Sequence, residues 1–360
     1  MRARHLTALA VLVTAAACGS HPLVPAAAPT SSVVATTTTT AAPAPAPTTL
    51  PRALVASGRS LALVAADRTE PAWIAPDARA ALDGSAVFRV DAGALVRVDV
   101  HTGSPAGRWA LPAGAWEVAV VAARGRRVVL TDGVIDGAIP VATTRLAVVD
   151  VERNEPARVL TLPGTLEPEA MSVDGGRIFV LDHRPSYYRV RTVEVATGDL
   201  NDVYGRDKEP PEDMVGDAVR AVLSPDGTVL ATLYREPSGQ HPFVHVLHLA
   251  NGWAYCADLP VGRYDAIAAS ADGLTVYTGA VGGSWVAIDV STFGEPSQDP
   301  LPVTTHRTGA PPVPLARAGT AVAGVTTVTA DASGLTWWRA GAEVGRAKRS
   351  IDRLIALVPG

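Results

Sequence analysis

The sequence predicts an all-β chain: a seven-bladed β-propeller closed by its N- and C-terminal strands and preceded by a disordered linker. Three observations predict it. A strand-then-turn unit recurs seven times, and a second unit ending in a tight glycine turn recurs at spacings of 41 to 52 residues. No stretch shows the apolar periodicity of a useful amphipathic helix.

The chain opens with Arg2, Arg4 and His5, then an apolar run from Leu6 to Ala17. That run is too short for a bilayer core, which needs about 20 residues. It has the layout of a secretory signal peptide over 1–17. The segment Ala15-Ala16-Ala17-Cys18-Gly19-Ser20 resembles the bacterial lipobox, departing at Ala15, where that family more often carries Leu or Val. The resemblance implies lipidation of Cys18 and a membrane partner through the N-terminal lipid. Ordinary signal-peptidase cleavage at the same bond is the alternative. Residues 18–51 read as a linker, since Gly19 to Pro51 contain no Asp, Glu, Lys or Arg. Such a stretch cannot bury enough apolar area to offset its ordering entropy. The alternation Ala42-Pro43-Ala44-Pro45-Ala46-Pro47 favours an extended polyproline spacer. The Thr-rich part is a candidate for O-glycosylation on composition alone.

The folded domain is expected over 52–360. Its first unit is an apolar strand, a polar residue and a turn. Examples are Val98-Asp99-Val100-His101-Thr102-Gly103, Val193-Glu194-Val195-Ala196-Thr197-Gly198 and Ile288-Asp289-Val290-Ser291-Thr292-Phe293. The second unit is a small-residue strand ending in a hairpin, as in Ser172-Val173-Asp174-Gly175 and Leu223-Ser224-Pro225-Asp226-Gly227. Asp-Gly before an apolar run is a hairpin signal, because glycine takes the positive φ the turn needs. Four strands per roughly 45 residues is the signature of propeller blades. At these residues the pattern resembles the propellers of YVTN-type and TolB-like (WD40-like) repeats, across about residues 52–358. The resemblance implies the fold and leaves function open, lactonases among the possibilities. Six blades carry their own glycine hairpin. Arg52 to Pro76 supplies three strands without an inner partner, and Ile351 to Gly360 one strand without the other three, so pairing them closes a seventh blade. An open solenoid or a six-bladed ring is the alternative.

The net charge of -4 gives no basic face for nucleic acid. Cys256, in the strand from Trp253, reads as a small buried hydrophobe. The inner strands, such as Val118 to Ala123 and Ala266 to Ser270, are built of small residues with no recurring His, Asp or Glu. No metal or acid/base site is therefore expected on the axis, and no cofactor. His241, His245 and His248 are the best metal candidates. His245 and His248 are three apart in a strand and so face opposite sides, one exposed and one semi-buried. Asp132 to Gly137 faintly resembles a calcium loop but lacks its alternating ligands. Trp109 after the first Thr-Gly turn is not repeated, which argues against quinone binding.

The longer loops fall on one face: Asp182 to Tyr188, Tyr204 to Glu209, Tyr234 to His241, Arg263 to Asp265 and Thr304 to Arg307. Tyrosine and arginine favour binding hot spots, so the candidate ligand-binding residues are His183, Arg184, Tyr187, Tyr188, Arg235, His241, Tyr264 and His306. The sequence thus predicts a monomeric, extracytoplasmic binding or scaffold module for an envelope protein or glycan. The alternatives are a lactonase-like hydrolase of a small extracytoplasmic substrate and a structural accessory to a membrane complex.

Overall fold

The Asp-Gly repeat folds as a hairpin with a recurring hydrogen-bond grammar. Ser172, Ser224 and Ser270 each donate Oγ–H to the aspartate two residues on, Asp174, Asp226 and Asp272. Each Oγ also accepts, at 2.9 Å, the backbone N–H five residues on, from Arg177, Val229 and Thr275. Gly175 holds the φ of +71° that lets the chain reverse. The Ser172 and Ser270 hydroxyls hold Asp174 and Asp272 below the usual carboxylate range. The Thr-Gly turn is built likewise: Asp99 Oδ1 accepts from the backbone of His101 and Thr102 and from the Thr102 hydroxyl.

This computed structural model describes residues 49–135, 139–205, 213–235, 241–294, 300–331 and 333–359. The expected signal peptide, Cys18 and the linker up to residue 48 lie outside them, as do Asp136 and Gly137 of the calcium-like loop. The described strands form seven sheets, six of them four-stranded and wholly antiparallel. The first blade joins Arg353–Val358 to Arg52–Ser57, Ser60–Val64 and Trp73–Pro76. The blades that follow occupy 78–110, 116–163, 165–202, 217–258, 264–306 and 319–348, and are numbered 2 to 7 here. Closure is as the sequence predicts: Arg353–Val358 runs antiparallel to Arg52–Ser57, from Arg52↔Val358 to Ala56↔Arg353.

One departure concerns Tyr204 to Glu209, expected as a loop of the binding face. Tyr204–Gly205 instead forms a short strand parallel to Trp253–Asp258, adding an outermost fifth strand to blade 5. Residues 206–209 lie outside the described chain.

The core is a ring of interfaces between blades. Six buried clusters each span two neighbouring sheets. Side chains alternate faces along a strand, so one strand serves two interfaces. In Val229–Arg235, Val229, Ala231 and Leu233 pack toward blade 6, while Leu230 and Tyr234 pack toward blade 4. Both faces are covered, which explains the near-continuous apolar runs of Val, Leu, Ile and Ala. Between blades 7 and 1, Trp337 is fully buried and donates its indole N–H to Pro51 O at 2.7 Å.

Candidate functional site

Seven inner strands surround the axis: Ala78–Ala80, Trp116–Val121, Thr165–Met171, Asp217–Leu223, Tyr264–Ala269, Gly319–Ala323 and Arg353–Val358. Their small residues leave a channel divided into cavities, one of about 400 Å³. Five of the strands slip register against their neighbour, skipping Ala119, Glu169, Val219, Asp265 and Ile355. A bulge breaks the alternation and re-aims the side chain it carries.

Glu169 shows the consequence. Its Oε1 accepts hydrogen bonds across the blade boundary from Thr232 Oγ1 at 3.1 Å and Tyr234 Oη at 3.3 Å. Its Oε2 is buried with no hydrogen-bond partner among the described residues. Burial, helped by the negative charge of Glu167, lifts the Glu169 pKa to about 7 against the hydrogen bonds that lower it. Behind it, Tyr234 stacks on Phe243 with centroids 5.0 Å apart and meets His245 edge-on at 6.3 Å. His245 is fully buried, its Nδ1 lacks a partner among the described residues, and burial pushes its pKa down to about 4. Arg79, Arg220 and Arg353 line the same cavity as Glu167 and Glu169.

The reading that no acid recurs at matching positions of the inner strands is therefore corrected. Two residues before the register skip, Glu117, Glu167 and Asp217 occupy equivalent positions in blades 3, 4 and 5, and acids and arginines together line one cavity. The expectation for the histidine pair is also corrected: His245 is buried rather than semi-buried, and His248 is partly buried against Phe293, with centroids 5.7 Å apart. His241 is exposed.

The candidates on the long-loop face occupy blades 4 to 6. His183 Nε2 lies 2.9 Å from Glu167 Oε2, and Glu167 also lines the channel cavity. Arg184 is half-exposed and pairs with the buried Asp182 at 2.6 Å. Tyr187 lies under the guanidinium of Arg189, 5.6 Å from its ring centroid, and Arg189 in turn pairs with Asp213. Arg235 ends its strand in register with Asp217. His306 stacks flat on Trp285 at 3.7 Å. Two tyrosines expected as contacts are core residues. Tyr188 is buried, donating its hydroxyl to Gly216 O at 3.1 Å, and Tyr264 is only 3% exposed. Each begins a strand whose first side chain turns toward the neighbouring blade. Sequence reasoning missed Glu167, Glu169, Arg79, Arg220 and Arg353. The available signal was a charged residue within each of several otherwise small, apolar inner strands.

No protein-family model matches the chain, and no curated protein matches it in sequence. Among solved structures it is similar to a functionally unknown protein from Desulfotomaculum acetoxidans, with TM-score 0.50 and 15% identity over 86% of this chain and 98% of that one. It also matches the β-propeller domain of Cps50 (Swd1) from Myceliophteria thermophila, with TM-score 0.46 and 10% identity over 78% and 88% of the two chains. TolB from Acinetobacter baumannii matches with TM-score 0.38 and 14% identity, over 67% of this chain and 61% of that one. These likenesses concern the fold alone: the chain is a seven-bladed β-propeller.

Proposed function

We propose that the chain is an exported lipoprotein, held at the outer face of the cell membrane by lipid on Cys18, whose propeller binds an envelope protein or glycan. The observation that supports the binding role is the sector of blades 4 to 6. There His183 rests on Glu167, Arg189 covers Tyr187 and His306 stacks on Trp285, giving aromatic and polar groups with fixed positions. Pre-ordered side chains lose little entropy on binding. The test is a Tyr187→Ala, Arg235→Ala, His306→Ala triple variant of the full chain, cross-linked in the envelope of its own cell. The partner recovered with the wild type is lost at unchanged melting temperature. Undiminished recovery sinks the proposal. Cys18→Ser tests the anchor separately: it abolishes palmitate labelling and releases the protein from the membrane fraction.

A second reading, a lactonase-like hydrolase of a small extracytoplasmic substrate, is favoured by Glu169. A buried carboxyl in a cavity with a pKa near 7 is suited to proton transfer. Hydrolysis of a lactone panel, abolished by Glu169→Gln, would select this reading.

A further inference from the structure

Glu169 apart, the acids around the axial channel named below each have a partner, whereas three of its arginines have no carboxylate at ion-pair distance among the described residues. Asp77 and Glu117 share Arg59, at 2.7 and 3.1 Å. Asp265 pairs with Arg317 at 3.6 Å, and Glu167 is bonded to His183 at 2.9 Å. Asp352 Oδ2 accepts from the backbone N–H of Gly58 at 2.6 Å. Arg79 from blade 2, Arg220 from blade 5 and Arg353 from the closing strand have no carboxylate at ion-pair distance among the described residues. Arg220 reaches across the channel, donating to Ala318 O at 3.2 Å and Asp352 O at 3.1 Å. Its Nε remains buried without an acceptor among the described residues.

The three cations also feel one another. Burial and then the charge of Arg353 hold Arg220 below its ordinary pKa against the opposing charge of Asp265, and burial and then Arg79 do the same to Arg353. Arg353 borders three channel cavities of about 400, 540 and 480 Å³, with Arg220 at the first two and Arg79 at the first and third. Like charges gathered at a partly desolvated junction are unfavourable without a counter-charge, and guanidinium forks match planar or tetrahedral oxyanions.

We propose that this junction binds the oxyanion group, carboxylate or phosphate, of a small polar molecule held in the axial channel. The Arg220 Nε–H gains an acceptor, and the rest of the molecule extends toward the unpartnered Oε2 of Glu169. The ligand ties the closing strand, through Arg353, to blades 2 and 5, so occupancy stabilises the ring. The site lies inside the channel and stands whether or not the outer surface of blades 4 to 6 binds a partner.

The full chain is titrated with sodium phosphate, sodium succinate and, at matched ionic strength, sodium chloride, with melting temperature as the readout. Either oxyanion raises it saturably, by roughly 3 °C or more beyond chloride, because binding to the folded state alone stabilises it. A response to phosphate alone assigns a phosphoryl ligand, to succinate alone a carboxylate, and to both a general oxyanion site. Arg353→Gln weakens the apparent affinity at least tenfold. Since that change touches the closing strand, Arg79→Gln, at an exposed position, serves as the second variant and shows the same weakening. No saturable rise beyond chloride in the wild type overturns the proposal, as does undiminished affinity in either variant.

Discussion

Replacing Glu169 with Gln keeps a side-chain oxygen for the Thr232 and Tyr234 hydroxyls and removes the ionisation. The carboxyl titrates near 4.5 in the unfolded chain and at about 7 in the fold. Between those values the folded state holds a proton that the unfolded state has released. Wild-type stability therefore falls as pH rises through this window, relative to a variant that does not titrate. At 1.36 kcal/mol per pKa unit the difference reaches about 3 kcal/mol. Glu169→Gln should match wild type below pH 4.5 and exceed it by about 3 kcal/mol above pH 7. His245 acts in the opposite sense. Its pKa falls from 6.5 unfolded to about 4 folded, so its contribution is present above pH 6.5 and lost as pH falls through 4. His245→Phe should therefore gain about 3 kcal/mol on wild type at pH 4, relative to their difference at pH 7.5. The assay is denaturant unfolding from pH 4 to 8, read as variant minus wild type so that the lowered aspartates cancel. For Glu169→Gln the melting temperature should differ by about 5 °C at pH 7.5. A pH-independent difference, or one of the opposite sign, would refute the buried-carboxyl reasoning.

Three further outcomes follow from packing. Ser224→Ala removes the hydroxyl that donates to Asp226 and accepts from Val229 N–H, and should cost about 1–3 kcal/mol in chemical denaturation. Trp337→Ala should cost about 3–5 kcal/mol and free Pro51 O, because the indole is fully buried between blades 7 and 1. Gly125→Ala places a Cβ 2.2 Å from the Ala86 Cβ at a φ of +64°, and should lower the melting temperature by more than the few degrees expected of about 1 kcal/mol.

The ring was legible because its signals are local. Ser-x-Asp-Gly writes both bonds of the inner hairpins of blades 4, 5 and 6 within six residues, and Asp99 to Gly103 writes an outer turn. Even closure was legible, since Arg52 to Pro76 lacks one strand and Ile351 to Gly360 supplies it. The channel was not, because its chemistry is non-local and out of phase. Arg79, Arg220 and Arg353 meet only when the ring forms. Glu169 and Asp265 stand at register skips, where strict alternation no longer tells which way a side chain points. The same limit misplaced Tyr188 and Tyr264: a tyrosine beside a polar loop reads as surface, yet here each packs between blades.

The ring depends most on the pairing of Arg353–Val358 with Arg52–Ser57, which closes it and delivers Arg353 to the axis. The direct measurement is cooperative unfolding, by circular dichroism, of the chain lacking residues 351–360. The closed ring predicts loss of the single cooperative transition, and its recovery when those ten residues are supplied as a peptide. An unchanged transition at the wild-type temperature would contradict the closure and the channel built on it.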